Sequence, residues 1–335
     1  MKKFLNNPKD FVDEMLEGIY FAHGEVIEPA NGELRCLVSK YKKKGKIGIA
    51  TGGGSGHLPL FLGYVGKGML DGCAVGGVFQ SPSSDEMLSV TKEIDSGQGV
   101  LYIYGNYNGD IFNFDMAAEM AEMEDIRVKT VVAGEDVATG PRPVLGEKNI
   151  RRGVAGIFFV YKIAGAAAEE MLTLDEVYQL ALEASERVAS MGVALSPCIV
   201  PRIGHASFEI GENEMEIGMG IHGETGIRRG ELKQADEIVD EVLPLLISDL
   251  NLAENDEVAV LINGLGSTPL EEQYIINRRV TETLSDRKIK VFKTYVGEYA
   301  TSLEMAGVSI SLFHLNETMK KYLLLPADTP MFKQF

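Results

Sequence analysis

The stretch Lys46-Ile47-Gly48-Ile49-Ala50-Thr51-Gly52-Gly53-Gly54-Ser55-Gly56-His57-Leu58-Pro59 sets the fold class. A short apolar run from Lys46 to Ala50 reads as a strand, and the glycine cluster behind it reads as a loop leading into a helical pattern. Glycines let backbone N–H groups turn inward and approach a ligand closely, as anion- and oxyanion-binding loops require. The cluster is not a phosphate-binding loop of the GxxxxGK[ST] type, because no lysine follows Gly56, and the acidic partner of a dinucleotide fingerprint is also missing. It is not a serine nucleophile elbow either, since His57 stands where that motif's last glycine belongs. A tight structural turn and a ligand loop both fit the glycines alone, and His57 tips the reading toward chemistry.

Outward from this stretch, β-branched and aromatic runs alternate with helical patterns. Val100 to Tyr104 and Val128 to Val132 are further strands, and helices are expected over Asp10 to Ala22, Asp85 to Ile94, Phe112 to Glu122, Val154 to Glu170 and Leu174 to Ser190. Thr173 with Glu176 forms a capping box before the last of these. Beyond Gly192, read as a helix stop or hinge, the pattern restarts. Strands are expected over Val193 to Leu195, Met215 to Ile221, Val258 to Ile262 and Lys290 to Tyr295, and helices over Leu232 to Leu250 and Pro269 to Leu284. The expected architecture is therefore two α/β domains, residues 1–191 and 192–335, each a mixed sheet flanked by helices.

Composition narrows the function classes. The chain has 335 residues, 45% of them hydrophobic, and can bury a substantial core. A formal charge of −17 opposes binding to a nucleic-acid backbone, which needs a basic face. The lysines at 40 and 42–44 read as a solvated turn. No apolar stretch approaches the roughly 20 residues that span a bilayer, and the N-terminus lacks the apolar core of a secretion signal, so a cytoplasmic location is expected. Cys36, Cys73 and Cys198 are too few and too scattered for a disulfide framework or a zinc site and read as buried thiols.

Two more segments carry candidate chemistry. Gly105-Asn106-Tyr107-Asn108-Gly109-Asp110 follows a strand, and ligands in open α/β sheets sit beyond the carboxyl ends of strands. Asp110 either caps the next helix or faces the same crevice as His57. In Asn213-Glu214-Met215-Glu216-Ile217-Gly218-Met219-Gly220-Ile221-His222-Gly223-Glu224, the alternation describes a strand with His222 at its end, and flanking glycines leave the imidazole accessible. A lone histidine is more often structural, and no second histidine at ligand spacing supports a metal. His23, His205 and His314 read as structural.

Taken together, Gly52 through His57, Phe79-Gln80-Ser81-Pro82, Asn106 through Asp110, Arg151-Arg152-Gly153-Val154-Ala155-Gly156 and Asn213 through Glu224 resemble the dihydroxyacetone kinase family, in its ketose-binding subunit. The resemblance implies a reversible hemiaminal between a short ketose and His222, which would select carbonyl-bearing ketoses over polyols. It casts His57 as an acid/base group and Asp110 as the acceptor of the proton from the hydroxyl that attacks the phosphoryl group. Gly54, Ser55 and Gly56 would hold the ketose from one side, with Ser81 nearby. The sequence departs from the best-known bacterial members at Gly105, where a lysine is usual, and at Leu58, where a glutamate is frequent. The room left by Gly105 points toward four-carbon ketoses such as erythrulose. No metal and no cofactor are expected on this chain. The resemblance implies a nucleotide-binding partner subunit holding ADP or ATP with Mg, a phosphotransferase-system phosphocarrier as one source of the phosphoryl group, and a homodimer. A ligand-sensing coactivator that binds a transcription regulator is the competing expectation, and retention of His57 and Asp110 favours the kinase.

Overall fold

A computed structural model describes residues 2–143 and 147–335. Two mixed six-stranded sheets carry the chain. The first contains β1 (Ile27–Ala30), β2 (Glu33–Ser39), β3 (Gly48–Ser55), β4 (Gly72–Val78), β5 (Val100–Gly105) and β6 (Val128–Ala133), in the order β1-β2-β4-β3-β5-β6. The second contains β7 (Val188–Ala194), β8 (Glu214–Ile217), β9 (Arg228–Glu231), β10 (Glu257–Gly264), β11 (Lys290–Gly297) and β12 (Gly307–Leu315), in the order β11-β10-β12-β7-β8-β9. Helices α1 (Phe11–His23), α2 (Ser84–Ile94), α3 (Asn108–Glu122), α4 (Ile157–Glu169), α5 (Leu174–Glu186), α6 (Ala235–Asp249), α7 (Leu270–Asp286) and α8 (Glu317–Leu324) flank them. The expected fold class, two mixed sheets with flanking helices, is the observed one.

Helix α4 joins the two sheets. Twelve of its thirteen residues are buried. One apolar cluster runs from Ile49, Leu101 and Ile103 of the first sheet through Phe158, Phe159 and Ile163 of α4 to Ala259, Leu261 and Phe313 of the second. A helix that is apolar all round has no solvent face and must be enclosed. Its Lys162 donates from Nζ to the Tyr322 carbonyl at 2.9 Å, and burial pushes its ammonium down to about 7.

Several boundaries differ from the sequence reading, each for a local reason. Gly52, Gly53 and Gly54 belong to β3 and pair in parallel with β4. They are strand residues because their neighbours come too close for a side chain: a Cβ would lie 2.7 Å from the Ala74 carbonyl at Gly52 and 2.4 Å from the Phe61 ring at Gly53. Only Gly56, at φ +102°, turns the chain. In place of the expected helix, the chain then makes a short 3-10 turn over Leu62–Tyr64. Helix α5 stops at Glu186, and Gly192 is a strand residue paired with Ser309. An apolar helix face that runs directly into an apolar strand leaves no period break to read. Strand β8 ends at Ile217 because Gly218 adopts φ +82°, so His222 lies in an irregular turn rather than at a strand end. The Thr173–Glu176 capping box is present.

The glycine strand gives a stability test. Gly53→Ala forces a methyl into the Phe61 ring and is expected to cost about 1–3 kcal/mol, read as a lower denaturation midpoint with an unchanged slope. Gly230→Ala meets nothing within 4 Å and is expected to stay within about 0.5 kcal/mol of the parent.

Candidate active site

The two sheets present their histidines to each other. His57 comes just after the turn at Gly56, and its Nδ1 lies 2.8 Å from the Thr301 carbonyl oxygen. A carbonyl only accepts, so Nδ1 carries the proton and Nε2 keeps its lone pair. Nε2 is buried with no hydrogen-bond partner. Burial, with His222 beside it, pushes the imidazole down to about 3, so the ring is neutral near pH 7.

His222 meets His57 edge to face, with ring centroids 4.8 Å apart and planes at 77°. Glu224, two residues on, grips it twice: Oε1 lies 2.8 Å from Nδ1 and Oε2 accepts the His222 backbone N–H at 3.0 Å. Gly223, at φ +82°, makes this tight return possible. The carboxylate thus sets the proton on Nδ1 and leaves Nε2, on a ring that is 24% exposed, with a free lone pair. Burial alone would push Glu224 up, but the bond and charge of His222, helped by Arg152, hold it at about 2. Arg152 stands 3.9 Å from Glu224 and is itself held by Asp136 at 2.6 Å and by the Gly218 carbonyl at 2.8 Å.

Asp110 is the third residue of α3 and makes no capping bond; the helix N-cap position is Tyr107. Its carboxyl is buried, and Oδ1 has no partner. Burial pushes it up to about 6 against the opposing pull of the Ser81 hydroxyl and of His222. Ser81 Oγ also accepts from Asn113 Nδ2 at 3.2 Å. Gly54 backs directly onto the Phe79–Gln80 backbone, and Ser55 Oγ is another buried atom without a partner. The residues named from the sequence, Gly54, Ser55, Gly56, His57, Ser81, Asp110 and His222, therefore gather at one place.

Buried polar atoms are almost always hydrogen-bonded, and unpaired ones need a reason. Ser55 Oγ, His57 Nε2, Tyr107 Oη and Asp110 Oδ1 all lack protein partners here. Such a set is what a small polyhydroxylated ligand with a carbonyl would satisfy.

Other parts of the site carry no assigned role in the sequence. Phe79 stacks on His57 at 4.9 Å and 21° and meets His222 at 5.2 Å. Its φ of +58° is a left-handed conformation uncommon outside glycine. Tyr107 packs edge-on to His222 at 4.7 Å. Glu224 had a signal, a carboxylate two residues after a histidine in a glycine-flanked turn; Thr301, 244 residues from His57 along the chain, had none. The histidines read as structural lie elsewhere: His23 ends α1, His205 is exposed in a loop, and His314 on β12 faces Asp256 at 3.7 Å. The three cysteines are buried and free, and among the described residues no helix is long and apolar enough to cross a membrane.

The Dak1 domain model matches residues 17–331. The chain is 46% identical over 336 residues, 99% of each chain, to "PTS-dependent dihydroxyacetone kinase 2, dihydroxyacetone-binding subunit DhaK" of Listeria innocua. It is 36% identical over 338 residues to the L-erythrulose kinase of Pectobacterium atrosepticum, spanning 100% of this chain and 56% of that one. Among solved structures, the dihydroxyacetone kinase operon co-activator Dha-DhaQ superposes with a TM-score of 0.89 at 33% identity, over 96% of this chain and 98% of its own.

The electrostatics give a direct check by NMR of the histidine rings. His57 is expected to stay neutral from about pH 8 to about pH 5, because its folded value is about 3. Since that value lies below the ordinary 6.5, the unfolded chain binds the extra proton first. The contribution of this group to stability is therefore full above 6.5 and is lost as pH falls from there toward 3. A His57 ring that titrates near 6.5 in the folded protein contradicts the burial described. Glu224→Ala is expected to turn His222 from a single Nδ1–H tautomer into a mixture.

Proposed function

The chain belongs to the Dak1 domain family, and from that premise we propose that it is the ketose-binding subunit of a dihydroxyacetone-type kinase. In this reading a short ketose is held on His222 as a hemiaminal while a separate nucleotide-binding subunit supplies the phosphoryl group. The observation that carries it is the juxtaposition of His222, its Nδ1 tied to Glu224 at 2.8 Å, with His57 at 4.8 Å between ring centroids.

The covalent step rests on the tautomer. The Nε2 lone pair of His222 attacks the ketose carbonyl carbon, a C–N bond forms, and the carbonyl π pair moves to oxygen. That oxygen takes a proton from solvent, and the positive charge left on the ring faces the Glu224 carboxylate. Glycerol-like polyols have no carbonyl to attack and are rejected. His57 Nε2 is an acceptor and takes a hydrogen bond from a substrate hydroxyl, so its acid/base part is to receive and return a proton at that atom. Asp110 accepts the proton of the hydroxyl that attacks phosphorus. A value of about 6 keeps it ionised near pH 7 yet basic enough to act. ADP or ATP with Mg belongs to the partner, where it supplies the phosphoryl group and balances its charge. A phosphotransferase-system phosphocarrier, a homodimer and a cytoplasmic location complete the proposal.

Gly105 ends β5 beside the Tyr107 ring, 3.3 Å from where its Cβ would stand. The glycine in place of a long side chain there, together with the likeness to an erythrulose kinase, supports a four-carbon ketose as substrate. A second reading, a ketose-sensing coactivator that binds a regulator protein, draws on the likeness to a coactivator structure. Sensing needs only the covalent hold; a buried carboxyl raised toward neutrality beside the hydroxyl site serves proton transfer and favours the kinase.

Three outcomes are expected. Intact-mass spectrometry with dihydroxyacetone or erythrulose shows an adduct on the parent chain and none on His222→Ala; an adduct that survives the substitution removes His222 as nucleophile. Asp110→Asn keeps the adduct but lowers turnover in the reconstituted system by about 10²–10⁴-fold. Turnover at saturating ketose falls on the acid side with a midpoint of about 6, because protonation removes the base, and that limb is absent in the Asp110 variant.

A further inference from the structure

The segment from Tyr299 to Leu303 belongs to the second sheet, between β11 and β12, yet it carries the carbonyl that fixes His57 of the first. Thr301 O accepts His57 Nδ1–H at 2.8 Å, and Thr301 N donates to the His57 carbonyl at 3.2 Å. Thr301 Oγ1 reaches the Leu58 carbonyl at 3.0 Å and that of Gly56 at 3.4 Å, while Leu303 N donates to Gly56 O at 2.8 Å. The strap therefore grips the residues on both sides of the imidazole as well as the ring.

One side chain anchors the strap. Asn263 on β10 is fully buried. Its Oδ1 accepts Tyr299 N and Ala300 N, each at 2.8 Å, and its Nδ2 donates to Ala300 O at 2.8 Å and to Ser309 Oγ on β12 at 3.0 Å. All four hydrogen-bonding positions of the amide are used, and three of them go to the strap. The strap would not hold this shape unaided: Leu303 adopts φ +52°, an uncommon conformation for a leucine. Gly266 is empty of side chain where a Cβ would lie 1.8 Å from the Leu303 carbonyl.

We propose that Asn263 is a positioning residue for His57: by fixing the Tyr299–Thr301 backbone it sets the ring's tautomer and aims Nε2 at the substrate. This rests on the reading of His57 as the acid/base histidine. It adds that the residue deciding which nitrogen of His57 is free lies outside the site, on a central strand of the opposite sheet. The amide touches no substrate and acts only through the strap.

The test is nitrogen NMR of the full chain with isotope-labelled histidine, alongside turnover in the reconstituted kinase. The parent shows His57 only as the Nδ1–H tautomer. Asn263→Ala is expected to let the proton redistribute between the two ring nitrogens and to lower turnover at least about tenfold, since small misplacements of a reacting group are costly, while the mass adduct on His222 still forms. Thr301→Val removes the hydroxyl hooks without disturbing the core amide; it keeps the assay decisive where Asn263→Ala fails to fold and shifts both readouts the same way by a smaller factor. Ser309→Ala, which cuts only the bond away from the strap, keeps the parental tautomer. An unchanged His57 tautomer in both the Asn263 and Thr301 variants overturns the proposal, whatever the ketose does. Absence of any ketose adduct on the parent overturns the functional reading instead, and the tautomer result stands apart from it.

Discussion

Helix α4 cannot face water, and the arrangement of the rest of the molecule depends on that. With twelve of thirteen residues buried it has to be enclosed, and α5, α8 and side chains of both sheets enclose it. Enclosing it lays the carboxyl end of β3 against the turn after β8. The polar ends of two separate sheets are thereby pressed together, and neither sheet alone carries a complete site. His57 comes from one, His222 from the other, and the bonds that orient His57 come from the second sheet as well. Burial of apolar surface in one place has fixed the geometry of polar groups in another.

Within the site, both imidazoles obey one design. Each has Nδ1 tied to an oxygen and Nε2 left over, but the oxygens differ in charge. A neutral carbonyl and deep burial keep His57 as an uncharged acceptor. A carboxylate beneath His222 can balance a positive charge that appears when Nε2 forms a bond. In the proposed reaction the same side chain serves as a hydrogen-bond acceptor at one position and a nucleophile at the other, and the oxygen to which each ring is tied decides which. Asp110 completes the set through burial, which raises it toward neutrality and leaves an oxygen without a protein partner.

The sequence made much of this legible. The alternation of apolar runs gave the α/β class with its two mixed sheets, and the glycine, Phe79–Pro82, Asn-Tyr-Asn-Gly-Asp and His222 segments held seven of the residues that gather at the site. What it hid was of two kinds. Where the apolar face of a helix runs into an apolar strand, as from Glu186 to Val188, no period change marks the join. Where glycines are kept for close packing rather than for turning, as in β3, they read as a loop although they are strand. Thr301 and Asn263 were invisible because their roles rest on backbone atoms and on contacts across distant parts of the chain. Glu224 stood in plain view but gained its meaning only from the return of the chain at Gly223.

The most direct measurement of the central claim uses a ketose isotope-labelled at its carbonyl carbon and protein labelled in its histidine rings. The account predicts a tetrahedral carbon signal with a one-bond coupling to Nε2 of His222, present in the parent chain and absent from the His222→Ala variant. A carbonyl that stays trigonal when the ketose is bound, or a coupling to any other nitrogen, would contradict it.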